Sequence, residues 1–168
     1  GGGAIYVNGN SSTIQTTVLV DGCHFFENTT ASSGRGGAIV CVGNSTNVAR
    51  SLTTIQNSIF ERNGADRGGA ILALNASVNI NNNFFNANQN AALSGNNGRG
   101  GALFFQNTAG NYTITNNTFV DNLSSSGQVG RNSSSGSFSI TGNDYGTQSH
   151  VGLTNSGGTA GWSLTPSS

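Results

Sequence analysis

The stretch "GRGGAIV" at residues 34–40 comes back as "DRGGAIL" at 66–72 and as "GRGGALF" at 98–104, and the chain opens with "GGGAIYV" at 1–7. A motif that returns every 32 residues or so marks a fold built of stacked repeats, each too small to bury its apolar face alone.

A second motif alternates with the first. "FFEN" at 25–28, "FERN" at 60–63, "FNAN" at 85–88 and "FVDN" at 119–122 each place a Phe three residues before an Asn. Ahead of each stands a short run of largely alternating apolar residues, "TVLVDGCH", "LTTIQNSI", "VNINNNF" and "YTITNNT", the pattern of a half-buried strand. A degenerate fifth copy, "GSFSITGNDY", follows at 136–145.

No stretch has helix-period apolar spacing with capping residues, and Val, Ile, Thr and Phe prevail in the periodic segments, so helical repeats are disfavoured. The sequence therefore predicts an all-β fold, a right-handed parallel β-helix (β-solenoid) of about five coils. It forms a single domain over 1–168, with repeats at approximately 1–35, 36–67, 68–99 and 100–135 and a degenerate one at 136–168. Equivalent residues of successive coils then stack about 4.8 Å apart, so that each repeated position becomes a column.

Ile5, Ile39, Ile71 and Leu103 form one interior column, with Val7, Cys41, Ala73 and Phe105 beside it and Phe25, Phe60, Phe85 and Phe119 in another. Asn28, Asn63, Asn88 and Asn122 form a structural ladder at a turn, where Asn tolerates left-handed backbone and its amide bonds to the copies above and below. The paired glycines allow a tight corner. A phosphate-cradling role for them would need a helix after the loop, and none follows. Tyr6, Val40, Leu72 and Phe104 alternate with the interior column and point outward as an apolar stripe, under a loop or in a lateral interface.

Composition narrows the function. Charged residues make up 7% of the chain, six basic against six acidic with no lysine, so the field that gathers phosphate backbones is missing and nucleic acid is not an expected partner. No apolar run reaches the roughly 20 residues of a spanning helix, and no membrane insertion is expected. Cys23 and Cys41 are too few for a disulfide scaffold or a typical zinc site; one bridge or two separate thiols both remain open.

The alternation of "GGA[IL]" at 2–5, 36–39, 68–71 and 100–103 with "FxxN" at 25, 60, 85 and 119 resembles the repeats of the chlamydial-type polymorphic outer-membrane proteins, which are autotransporter passengers and adhesins. The resemblance covers roughly residues 1–122. It implies a right-handed β-helix on or outside a cell surface, often adhesive.

Arg35, Arg67 and Arg99, with Arg131 at the same spacing but without Gly-Gly behind it, stack as guanidinium groups one strand spacing apart. Like charges so placed persist where carboxylates, backbone carbonyls or an external anion interleave with them. Arg35, Arg67 and Arg99 are thus a candidate ligand strip for acidic or sulfated glycans, beside a purely structural reading. Eight Asn-x-Ser/Thr sequons occur, at Asn10, Asn28, Asn44, Asn75, Asn111, Asn116, Asn122 and Asn132. Asn10, Asn44, Asn75 and Asn111 follow the "GGAI" strands and are the candidate glycosylation sites, whereas Asn28 and Asn122 belong to the ladder.

Catalysis is not expected. The acids Asp21, Glu27, Glu61, Asp66, Asp121 and Asp144 are scattered, and His24 and His150 are isolated, whereas polysaccharide-cleaving β-helix enzymes need clustered acid and base groups. No cofactor or metal is implied. Ice binding would need uniform Thr-x-Thr rows; Thr113 and Thr115 fit, but asparagine and valine are expected opposite them. Trp162 is read as a plug for the last coil.

The first strand begins at once and the N-terminus shows neither an initiator Met nor a signal segment, so the sequence reads as a mature piece or a fragment. Its open strand edges are expected to meet flanking β-helix coils or a second copy stacked end to end. The expected function is an extracellular, noncatalytic, structural or adhesive β-helix protein, glycosylated and a candidate filament subunit. The alternatives are an autotransporter-type adhesin fragment that binds glycans and, less favoured, a carbohydrate-active enzyme.

Overall fold

The computed structural model describes residues 1–168 apart from 12, 32, 91–98, 107–109, 125–126, 134–135, 147–153 and 156–168. The described residues are all-β, with parallel sheets and no α-helix; Val48–Arg50 forms a single 3-10 turn.

The sheets collect equivalent strands from successive repeats. The first sheet runs Ile5–Gly9, Ile39–Gly43, Ile71–Leu74, Leu103–Gln106, Gly130–Ser133 and Thr154–Asn155. Thr16–Asp21, Ser51–Gln56, Ser77–Asn81, Asn111–Thr115 and Ser137–Thr141 form the second, and His24–Phe26, Ile59–Glu61, Phe84–Asn86 and Thr118–Val120 the third. A small fourth sheet pairs Gly64–Ala65 with Gln89–Asn90. The degenerate copy keeps register, since Phe138 faces Tyr112, Ile140 faces Ile114 and Asp144 bridges to Thr118.

Register fixes the core. Ile5, Ile39, Ile71 and Leu103 are paired residue for residue, as are Val7, Cys41, Ala73 and Phe105. The second sheet adds the column Val20, Ile55, Ile80, Ile114 and Ile140. Phe25, Phe60, Phe85 and Phe119 stack face on face with centroids 4.8–4.9 Å apart and planes within 8–10° of parallel, and Tyr145 continues the pile beneath Phe119. The ring spacing equals the strand spacing, so repeat geometry itself enforces aromatic stacking, at about 0.5–1.5 kcal/mol per pair beyond burial.

Three corners hold columns of left-handed residues. At the first sit Gly36, Gly68, Gly100 and Gly127; at the second Gly22, Asn57, Asn82, Asn116 and Gly142; at the third Glu27, Arg62, Ala87, Asp121 and Gly146. The structure corrects the expectation for the ladder: Asn28, Asn63, Asn88 and Asn122 are not themselves left-handed, and the residue before each one is. The second glycine of each pair answers a different need, for a Cβ on Gly69 would overlap the carbonyl oxygen of Gly101 in the next repeat.

The outward stripe is covered. Val40, Leu72 and Phe104 are buried in a small apolar cluster of their own with Val42 and Leu74 packed against it, while Tyr6, at 53% exposure, stays open. The corner segment that precedes the strand does part of the covering: Gly36 abuts the Val40 side chain so closely that a Cβ there would meet Cγ2.

Candidate functional site

The arginine column forms where the corner segment crosses the outside of the first sheet. Arg35 bridges to Arg67 and Arg67 to Arg99 through parallel backbone contacts, which places the three side chains one strand spacing apart, about 4.8 Å. Arg131 does not join them. It pairs opposite Phe104 within the first sheet, because the chain reaches that strand with fewer residues in the preceding loop, and Gly127 rather than a Gly-Gly pair makes the corner.

Among the described residues one carboxylate serves the column. Asp66 Oδ2 lies 3.6 Å from Arg67 Nε, and the Arg67 Nη1 donates to Gln106 Oε1 at 3.2 Å. The Asp66 position is glycine in the preceding repeat, Gly34, with which its backbone pairs. Among the described residues no side-chain acceptor or carboxylate partners Arg35 or Arg99. Burial first, and then the charges of Arg99 and Arg35, pull the Arg67 guanidinium below the ordinary arginine value, with Asp66 opposing. Repulsion along the column is thus felt at its centre and only partly answered from within the chain.

An open pocket of about 260 Å³ adjoins Arg35. Val40, Val42 and Leu74 line it together with Tyr6, Ser33 and Arg35.

The asparagine ladder is internal. Asn88 donates from its backbone N–H and from Nδ2 to Asn122 Oδ1, and from Nδ2 to the Phe60 carbonyl, while its own Oδ1 accepts from Asn63. Asn28 likewise donates from its backbone N–H and from Nδ2 to Asn63 Oδ1. A second ladder, absent from the motif reading, runs through Ser58, Asn83, Asn117 and Asn143. Its signal is the polar residue two places before each stacked aromatic ring.

The sequon asparagines divide by burial. Asn10 is exposed and Asn44 is half-buried, with Asn44 Nδ2 donating to Asn10 Oδ1 at 3.4 Å. Asn75 is half-buried at a left-handed turn. Asn111 is exposed but opens a strand of the second sheet instead of lying in a loop. Asn122 is fully buried. The Asn132 side chain, His150 and Trp162 lie outside the described residues.

The remaining candidates stay apart. His24 meets Glu61 at 3.5 Å on the exposed face of the third sheet, where Arg62 pairs with Glu27 and lies over Phe26. Hydrogen bonds from Asn57 and then Gln56 hold the Asp21 carboxyl below its usual value. Among the described residues no three His, Cys, Asp or Glu side chains gather as a metal would require, and no helix is long and apolar enough to cross a membrane. Cys23 is exposed and Cys41 buried, both as free thiols, so they are not bridged. Opposite Thr113 and Thr115 stand Asn79 and Asn81, not asparagine and valine, and the rows remain mixed, with Leu19 exposed in the same face.

Compared with protein-family models, with curated proteins and with solved structures, the chain matches none.

Proposed function

We propose that the chain is a right-handed parallel β-helix of about five coils that works outside the cell as a noncatalytic structural or adhesive rod. The observation that carries this reading is the continuous Phe25–Phe60–Phe85–Phe119 stack flanked by two asparagine ladders. Such an interior commits its rings and amides to the repeats above and below, which leaves the sides of the rod for contact with other molecules. The low charge, the exposed sequons at Asn10 and Asn111 and the resemblance of the "GGA[IL]" and "FxxN" motifs to surface-protein repeats all favour an extracellular setting.

Among the described residues the first-sheet strand Ile5–Gly9 pairs on one side only. Further coils of the same polypeptide or a second copy would complete that edge by the parallel pairing already in use. Copies stacked directly would give filaments with a rise of about 24 Å per subunit, five strand spacings.

Brief trypsin treatment of intact source cells tests the location. The chain has six basic residues, all arginines, so release of its peptides from unbroken cells supports the reading, and recovery only after lysis overturns it. Electron microscopy of the native material then separates filaments from single rods.

A further inference from the structure

We infer that the Arg35–Arg67–Arg99 column is a binding site for a linear acidic polysaccharide, carboxylated or sulfated, laid along the stacking direction. The inference rests on the adhesive half of the function proposed above.

Among the described residues one carboxylate, Asp66, stands beside the three arginines, and it pairs with the middle one. Arg35 and Arg99 are partly exposed and, among the described residues, have neither an ion-pair partner nor a side-chain acceptor. The backbone keeps the arginine Cα atoms one strand spacing apart, so an external anion that interleaves with the column offsets a repulsion that the chain itself answers only at Arg67. Planar guanidinium forks suit carboxylate and sulfate groups, which take two parallel hydrogen bonds.

The spacing selects the polymer. A pyranose unit advances an extended glycan by about one strand spacing, so a chain with one acidic group per sugar has an axial charge spacing comparable to the pitch of the arginines. The open pocket that Arg35 lines together with Val40, Val42 and Leu74 offers a sugar ring some non-polar surface while the arginine holds its acid. A nucleic acid strand is a poorer match, since the phosphates of a duplex strand rise about 3.4 Å per nucleotide along the axis.

The test measures binding of labelled oligogalacturonate and heparin oligosaccharides to the whole chain, with a neutral dextran oligosaccharide and oligothymidylate as comparisons. R35Q/R99Q removes the two unpartnered arginines. R50Q/R62Q makes the same change in net charge off the column, where Arg50 donates to the Thr13 carbonyl and Arg62 pairs with Glu27. At least one acidic oligosaccharide should bind and the neutral one should not. R35Q/R99Q should weaken binding by at least about tenfold, with no fall in Tm, and R50Q/R62Q should stay within about twofold of the parent. If the double variant folds poorly, R99Q alone should flatten the dependence of affinity on salt by about one third.

Equal loss in both double variants, binding of neither acidic oligosaccharide, or tighter binding of oligothymidylate each overturns the inference. None of these outcomes touches the release of peptides from intact cells, so the surface rod and its ligand fail separately.

Discussion

Phe60 and Phe85 lie ring over ring, with centroids 4.8 Å apart and planes 10° from parallel, although only 25 residues separate the asparagines that follow them, against 35 and 34 for the neighbouring steps of the ladder. The stack thus keeps its pitch while the length of chain between its members varies by ten residues, and the loops absorb the difference. Between the first and second sheets one repeat inserts the 3-10 turn Val48–Arg50, where the next has only two residues between Leu74 and Ser77.

Because Phe85 has an aromatic neighbour on both faces and is fully buried, Phe85→Ala opens a cavity and breaks two stacks. The expected loss in urea unfolding is about 3–5 kcal/mol. Phe84, next in the chain but pointing out at 38% exposure, gives the matched comparison, and Phe84→Ala should cost no more than about 1 kcal/mol. Similar losses at the two positions would contradict the assignment of inside and outside.

The same logic tests the ladder. Asn88→Ala orphans the buried Asn63 N–H and takes the amide donor from the Phe60 carbonyl, each group costing about 1–3 kcal/mol. A loss of about 3 kcal/mol is expected, whereas Asn86→Ala, on the outer side of the short strand that precedes Asn88, should stay within about 0.5 kcal/mol. Thermal or chemical unfolding of the two variants decides it, and a neutral Asn88→Ala would mean the ladder contributes no net stability.

How much of this was legible in the sequence follows from what repeats. The columns Ile5–Leu103 and Phe25–Phe119 and the ladder Asn28–Asn122 hold fixed places within the two short motifs, and aligning the motifs, whatever the loop length between them, sets them in columns. Ser58, Asn83, Asn117 and Asn143 hide among other asparagines, as in the run Asn81–Asn83, where composition masks which one turns inward. Arg131 misled for the opposite reason: it keeps the spacing of 32, but the chain shortens before it and register carries it opposite Phe104. The covered stripe Val40, Leu72 and Phe104 was visible as alternation, yet what covers it depends on the path of a corner, which no local pattern encodes.

Burial also orders the sequons. In a secretory host able to attach N-linked glycans, Asn10 and Asn111 should be occupied and Asn122, with no exposed surface, should be bare, since the transferase must reach the amide. Asn44 and Asn75, both half-buried, should fall between. Glycopeptide mapping reads this directly; bare asparagines at all of Asn10, Asn44, Asn75 and Asn111 would remove the glycosylated side from the proposal, and a glycan on Asn122 would place that ladder outside the core.

Cys41 gives the fold a measurable alkaline limit. Burial pushes its thiol from 9.0 up to about 11, so the folded state holds its proton where the unfolded state has released it. A folded-state value raised above the unfolded one supplies stability that is complete below the unfolded value and is lost as pH rises through the folded value. The window is therefore from about 9 to about 11, and the full loss is roughly 2–3 kcal/mol. Cys41→Ala keeps a residue that the next repeat already uses in that column, Ala73, and lacks the titration. Tyr145, whose hydroxyl burial also raises, titrates alike in both proteins and cancels. Urea midpoints of parent and variant should thus converge between pH 9 and 11, with the parent losing more. A thiol reagent at neutral pH should label the exposed Cys23 at once and Cys41 only after unfolding; prompt labelling of both would place Cys41 outside the core and remove the reason for the alkaline limit.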